Sequence, residues 1–312
     1  MSLVSIILPT RNRAALLRPT LDTIVAQTLP DWELLVVDDG STDDTQELIR
    51  GYGDPRFVYM RNEGRHGVAR ARNLAISRAR GEFLAFQDAG EQWPLDKLAL
   101  QVSAMRRLPE SVGLVYGNYM IFRSNGTQKL SRPAVFTAED ADTTSRALSL
   151  AVSGIDTPTW LLRASVTVAC GGFDEALTRR EDSEFLMRVA LQGFQFQYID
   201  ELTALSYARE ESLSKNPDTL LQAHEYILKK HADRLTPAIL ACHYRSLGRI
   251  LLGLTPCRLS AARGFLWKAA LPPYGGAADL LWLALSLGGQ PAYDFVCAVS
   301  GLRYRFAARS SR

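Results

Sequence analysis

The run Leu34-Leu35-Val36-Val37-Asp38-Asp39-Gly40-Ser41 constrains this chain more than any other stretch. Four apolar residues lead straight into two acids and a glycine turn. A short continuous apolar run of this kind reads as a strand buried on both faces, as in a parallel sheet. The acids then fall at its carboxyl end, ahead of a helix start. In open α/β sheets that edge is where ligands bind. Two acids there suit a ligand rich in hydrogen-bond donors, such as a base imide or ribose hydroxyls, and not a bare phosphate.

The same grammar repeats along the first 110 residues. Val4 to Leu8 is a strand closed by Pro9-Thr10. Asn12 is placed to cap the helix that reaches about Gln27, with Pro19 suited to its first turn. Ser41 and Asp44 have the spacing of a capping box. Phe57 to Met60 is a third strand, Gly67 to Arg80 a third helix, Phe83 to Phe86 a fourth strand ending at Gln87-Asp88, and Pro94 to Leu108 a fourth helix. This βαβαβαβα order predicts an α/β fold with a mostly parallel, right-handed sheet covered by helices on both faces. Beyond it, Val112 to Phe122 and Thr157 to Arg163 read as strands, and residues 139–152 and 181–192 as helices. Residues 217–312 read as several helices broken by prolines and glycines. A composition shift near residue 215 predicts two domains, 1–215 and a helical extension over 216–312.

Charge divides along the same line. Residues 229–312 hold 12 Lys/Arg and 3 Asp/Glu, whereas residues 1–228 hold 24 and 30. The overall net charge of +3 is too small to argue for a nucleic-acid partner. A basic tail with aromatic and leucine-rich runs is compatible with an anionic membrane surface, and equally with an ordinary solvated face. Arg258, Arg263 and Lys268, interleaved with Phe265, Leu266 and Trp267, fit either a membrane-surface helix or a packed one. Residues 280–287 fall far short of the roughly 20 apolar residues that span a bilayer. Four scattered cysteines without a CxxC pair predict a reducing compartment and no zinc site. Met1-Ser2-Leu3-Val4 has no basic segment before its apolar run, so no signal peptide is expected. The expected location is cytoplasmic, at the cytosolic face of a membrane if the tail makes contact.

Three strand-end loops should meet on one edge: Pro9 to Arg13, Asp38 to Ser41, and Gln87 to Trp93. Between them lies Asn62 to Asn73, with glycines that allow close backbone approach and arginines near a helix start, a combination suited to a diphosphate or sugar hydroxyls. It is neither GxGxxG nor a Walker loop. Singly each piece has a plain structural reading: Asp38 and Asp39 as helix caps, Arg70 and Arg72 as solvated charges, Glu181-Asp182 as acids at a helix N-terminus.

Taken in order, the segments Val4 to Arg13, Val36 to Thr42, Gly67 to Asn73, Phe86 to Trp93, Gly171 to Glu175 and Arg180 to Asp182 resemble the family-2 inverting glycosyltransferases of the GT-A fold. The resemblance covers about two thirds of the chain and leaves out the tail. It implies a nucleotide-sugar donor, UDP first and dTDP next, and a glycan or lipid-linked acceptor, as in cell-envelope polysaccharide biosynthesis. It implies a donor-binding set of Pro9, Thr10, Arg13, Asp39, Arg70, Asn73 and Asp88, with Asp39 accepting from a uracil or thymine imide. Asp182 would be the general base on the acceptor hydroxyl. Arg209, ahead of Ser212-Leu213-Ser214, would sit in a loop closing over the donor. A divalent cation, Mg²⁺ or Mn²⁺, would be held by Asp88. The family's second aspartate, however, is Gly90 here, which leaves Glu91 as the second ligand or Asp88 alone. That departure keeps open a non-catalytic nucleotide-sugar-binding protein. A sugar-phosphate nucleotidyltransferase is a poorer fit, because Thr10-Arg11-Asn12-Arg13 lacks the glycines of an activation loop.

Overall fold

The structure is a computed structural model and describes residues 2–62, 66–133, 135–136, 155–207, 217–235, 237–252, 258–270, 283–284 and 286–287. It divides into two units, Met1–Glu210 and Glu211–Arg312.

The first unit is built on an eight-stranded sheet. Its strands are β1 (Val4–Thr10), β2 (Trp32–Asp38), β3 (Phe57–Arg61), β4 (Phe83–Phe86), β5 (Val112–Phe122), β6 (Gln128–Ser131), β7 (Leu161–Arg163) and β8 (Gln195–Tyr207). The order runs β3-β2-β1-β4-β7-β5-β6, with β8 also paired to β5. The first four strands are parallel, as expected. The rest of the sheet is mixed, because β7 runs antiparallel to both β4 and β5.

The apolar run of β2 feeds two cores at once. Successive side chains of a strand point to opposite faces. Leu34 and Val36 therefore join α1 (Ala14–Val25) and α4 (Lys97–Arg107) on one side. Leu35 and Val37 join α3 (Val68–Ile76), α5 (Ala164–Cys170) and α6 (Glu181–Leu191) on the other. All four side chains are at most 1% exposed. Burial of this kind stabilises by roughly 1.5–3 kcal/mol per side chain, and it has no solvent face to lose.

Several local expectations are corrected. Pro19 lies inside α1 rather than at its start; burial of Leu17, Leu21 and Ile24 outweighs the one lost helix bond. Asn12 does not cap that helix. Its φ is 50°, and its side chain instead accepts from the Thr42 N–H at 2.8 Å, tying the first strand-end loop to the second. The Ser41–Asp44 capping box does not form. Asp43 does that work for α2 (Thr45–Arg50), accepting from the Thr45 N–H at 3.2 Å. Thr157 to Arg163 splits into a 3₁₀ turn over Thr157–Thr159 and the short strand β7. Strand β8, 13 residues long, was not foreseen. The helix expected over 139–152 lies outside the described residues. So do Arg209, Ser212-Leu213-Ser214 and the apolar run 280–287, apart from Leu283, Ala284, Ser286 and Leu287.

The second unit contains α7 (Pro217–His231), α8 (Pro237–Leu252) and α9 (Leu259–Ala270). Leu251, Leu252, Ala262 and Leu266 form its core. His224 and His231 are buried packing residues. Along α9, Ala262, Leu266 and Ala269 face inward while Trp267 is 59% exposed. Among the described residues, no helix is long and apolar enough to cross a membrane.

Candidate active site

Parallel pairing aligns the carboxyl ends of β1, β2 and β4, so Thr10, Asp38 and the Gln87-Asp88 turn share one edge. The antiparallel strand β7 then matters. A strand that runs the other way begins where its neighbours end. The segment entering β7, residues 156–160, is thereby delivered beside Asp88. The first turn of α6 completes the cleft.

Arg72 is the centre of this edge. One terminal nitrogen donates to Glu181 Oε1 at 2.8 Å, and the other donates to Asp88 Oδ1 at 2.9 Å and Thr157 Oγ1 at 3.0 Å. Its side chain is only 4% exposed. Burial alone would pull the guanidinium pKa down, but the charges of Asp88, Glu181 and Asp182 hold it above its ordinary value. Glu181 shows the reverse balance. Burial and the neighbouring Asp182 raise its carboxyl, against the pull of Arg72. Three parts of the chain far apart in sequence thus meet through one cation. Breaking such a buried pair by removing one partner costs about 3–5 kcal/mol.

Asp182 sits one residue beyond Glu181 in the first turn of α6. Its Oδ1 accepts from the Ser183 N–H at 2.6 Å. The residue before this turn, Arg180, holds a left-handed φ of 63°, a conformation that strains a non-glycine residue and that clusters at functional sites. Asp156 faces both Asp182 and Asp88. Burial first, and those two charges next, push its carboxyl up to about 6, although the Tyr119 phenol hydrogen-bonds it and Arg180 attracts it.

The strand β2 acids have different surroundings. Asp38 accepts from the Ser41 N–H and the Tyr59 hydroxyl, both at 2.7 Å. Asp39 accepts from the backbone N–H groups of His66 at 3.0 Å and Gly67 at 2.9 Å. It therefore holds the entry to α3, where Gly67 has a φ of 94° that suits glycine. Next to it, Thr10 is 4% exposed and its hydroxyl oxygen has no partner among the described residues. Pro9 and Arg13 are half-buried on the same loop.

Two members of the expected donor set stand elsewhere. Arg70 is exposed and takes no part in the network around Arg72. Asn73 is committed to the chain itself. Its amide accepts from the Phe173 N–H at 2.7 Å and donates to the Phe173 carbonyl at 2.8 Å and to Glu175 at 2.9 Å. A Cβ on Gly172 would lie 2.2 Å from Asn73 Oδ1, which explains the glycine in Gly171-Gly172-Phe173.

The turn after β4 explains its own departure. Gly90 has a φ of 100°, and its N–H donates to Thr20 Oγ1 at 2.9 Å. An aspartate is strained in that conformation. Glu91 Oε1 accepts from Ser206 Oγ at 3.1 Å, so this carboxylate is engaged by β8. Asp88 keeps 39% of its side chain exposed. Among the described residues, no three acidic, histidine or cysteine side chains are grouped to hold a metal ion. Trp93 packs beneath the turn at 1% exposure, donating to the Pro158 carbonyl at 3.0 Å.

Sequence reasoning passed over Asp156, Thr157 and Tyr119, and preferred Arg70 to Arg72. The spacing of Ala69, Arg72 and Ala75 carried the signal for the arginine. A three-residue step keeps those positions on one helix face, and all three are buried while Arg70 is not. No local pattern marks Asp156 or Tyr119.

A mixed sheet with acids at its strand ends, and a buried arginine that joins one of them, Asp88, to Glu181 at the opening of α6, make up the site of a GT-A-like fold. The chain belongs to glycosyl transferase family 2, whose model matches residues 5–167. WfgD of Escherichia coli, a UDP-Glc:alpha-D-GlcNAc-diphosphoundecaprenol beta-1,3-glucosyltransferase, is 39% identical over 123 residues, or 39% of this chain and 48% of that protein. The chain spans about half the length of the curated relatives it matches first. TarS 1-349 of S. aureus in complex with UDP superposes with a TM-score of 0.66 at 19% identity, over 98% of this chain and 93% of that one. The mannosyltransferase PcManGT from Pyrobaculum calidifontis, in complex with GDP-Man and Mn2+, gives 0.58 at 21% identity, over 96% and 86%.

Proposed function

We propose that the protein transfers one sugar, with inversion, from a UDP-sugar to a hydroxyl of a glycan or lipid-linked acceptor. The observation that carries this reading is the Arg72 bridge. It joins Asp88, at the end of β4, to Glu181, the immediate neighbour of Asp182. A sugar hydroxyl is a poor nucleophile, and a placed carboxylate base accelerates its attack roughly 10²–10⁴-fold. In this reading Asp182 takes the hydroxyl proton as the acceptor oxygen bonds to the anomeric carbon. The diphosphate leaves on the Asp88 side, so the centre inverts in one displacement, as the two-carboxylate logic of inverting glycosidases requires. Arg72 keeps the two acids in register.

The unpartnered Thr10 hydroxyl supports a nucleoside site beside Pro9, Arg13 and Asp39. Asp39 would give its remaining acceptor capacity to the imide, and a uracil base fits the UDP-linked names of two of the relatives. The lipid-linked acceptor is supported by the same names. Arg70 and Asn73 are weaker members of this donor set, given their surroundings. A divalent ion fits the site through the exposed carboxylate of Asp88 and the donor's own phosphates, with Glu91 as a second ligand only if it leaves Ser206. When bound, such an ion neutralises the leaving diphosphate. The basic tail supports peripheral contact with the cytosolic face of a membrane. By residue boundaries we take 1–215 as the catalytic domain and 216–312 as its helical extension.

Thermal shift with a panel of nucleotide sugars, with and without Mn²⁺, tests donor binding, since a ligand of the folded form raises apparent stability. UDP release in the presence of a lipid-diphosphate-linked sugar tests transfer. Stabilisation by UDP-sugars with acceptor-dependent UDP release is the expected result. Binding without any release, at every metal concentration, would replace this reading with a non-catalytic nucleotide-sugar-binding protein.

A further inference from the structure

Asp156 is a carboxylate for which the fold offers little. Among the described residues it makes no salt bridge, and its side-chain partner is the phenol of Tyr119. The charges that face it from neighbouring elements are Asp88 from the β4 turn, Asp182 from α6 and Arg180 before α6. Two of the three repel it. A desolvated carboxylate without a compensating cation is costly, and replacing it by an apolar residue would leave Tyr119 still able to use Ser131. The residue nevertheless keeps part of its surface open.

Its position is more telling than its cost. The next residue, Thr157, accepts from Arg72 and donates to Asp88 at 3.4 Å. Asp156 therefore stands at the junction between the Asp88 side of the cleft and the Asp182 side. A second unfilled group lies in the same network: the Arg72 Nε–H is buried and has no acceptor among the described residues. A pocket wall that presents a carboxylate with spare acceptor capacity fits a ligand that brings hydroxyl donors. It repels a phosphate.

We infer that Asp156, braced by Tyr119, binds the acceptor sugar by accepting a hydrogen bond from a hydroxyl adjacent to the one that attacks. This deepens the glycosyltransferase reading and rests on it. Asp182 activates one hydroxyl in that scheme, and Asp156 selects which sugar, in which orientation, presents it. Its raised carboxyl is the expected companion of such an arrangement, because a site that waits for a ligand's donor groups lacks them in the free protein.

The test uses the full chain, UDP-glucose as donor, and a short-chain lipid diphosphate carrying N-acetylglucosamine together with its monodeoxy analogues. For Asp156→Asn we expect the acceptor KM to rise about 10-fold or more, the scale of a hydrogen bond to a charged group. The KM for UDP-glucose should change by less than the acceptor KM. Tyr119→Phe should move the acceptor KM the same way by less. One deoxy analogue should be penalised about 10-fold in the unaltered chain and not in Asp156→Asn. A purely structural role for Asp156 would leave that deoxy penalty equal in both proteins, and this result, or an unchanged acceptor KM, overturns the inference. Failure of the unaltered chain to transfer to any acceptor while still binding UDP-glucose would overturn the parent reading and this one with it.

Discussion

The two sides of the cleft treat their acids in opposite ways. On the β2 side, Asp38 and Asp39 are surrounded by hydrogen-bond donors of the chain: the Ser41 N–H, the Tyr59 hydroxyl, and the His66 and Gly67 N–H groups. On the far side, Glu181 and Asp156 are buried near like charges, and both carboxyls are raised. Tyr59 registers the contrast from the other direction, since burial and the Asp38 charge push its phenol up to about 12. Acids of the first kind shape loops, and a ligand must share them. Of the second kind, Glu181 is held by Arg72, while Asp156 has no cation paired to it among the described residues. In the proposed reading, the catalytic base comes from the second side.

The sharpest way to break this contrast is at the base. Asp182→Asn should lower kcat by about 10²–10⁴-fold while UDP binding by calorimetry stays intact; retained transfer would remove Asp182 from its role. Next in size is the link between the sides. Arg72→Met should cost about 3–5 kcal/mol in denaturant unfolding, because it leaves Glu181 buried without its cation. A loss near zero would show that the two sides are held together by packing alone.

A third test uses pH. The Asp156 carboxyl, raised to about 6 by burial and its charged neighbours, keeps its proton in the folded chain after the unfolded chain has lost it. It thus destabilises the fold increasingly as pH climbs from about 4 to about 6, and fully above that. Asp156→Asn should therefore melt higher than the parent at pH 7.5, by about 1–3 kcal/mol in stability, and equally at pH 4. Equal melting at both pH values would place Asp156 among the satisfied acids. Gly90→Ala should cost about 1–2 kcal/mol, because its φ of 100° is strained for any side chain. Smallest of all, Asp39→Ala should cost about 1 kcal/mol through its lost role at the start of α3. If UDP affinity falls in step with that mild loss, the nucleoside role of Asp39 is sharpened; if it does not fall, the residue serves the loop alone.

Much of the first half was legible from local pattern. A four-residue apolar run must feed two cores, so β2 and its neighbours follow from composition and period. The strand-end acids follow from where those runs stop. Legibility failed where a residue's partner is remote. Asn12 caps nothing and instead binds Thr42, a choice that exists only once two loops meet. Asn73 serves Phe173, 100 positions away. Strand β8 alternates too irregularly to stand out, since it shifts register against β5 in several places.

The amino-acid order alone determined the parallel half of the sheet and the edge on which acids collect, because each depends on short-range periodicity and turn chemistry. Only the folded molecule decided that Arg72 and not Arg70 enters the cleft, that Gly90 is required by its backbone angle, and that Asp156 stands beside Asp88 and Asp182. The last of these depends on an antiparallel strand delivering residues 156–160 to an edge more than 60 positions earlier in the chain. Pairing across such a distance is set by which buried surfaces and charges fit together in space.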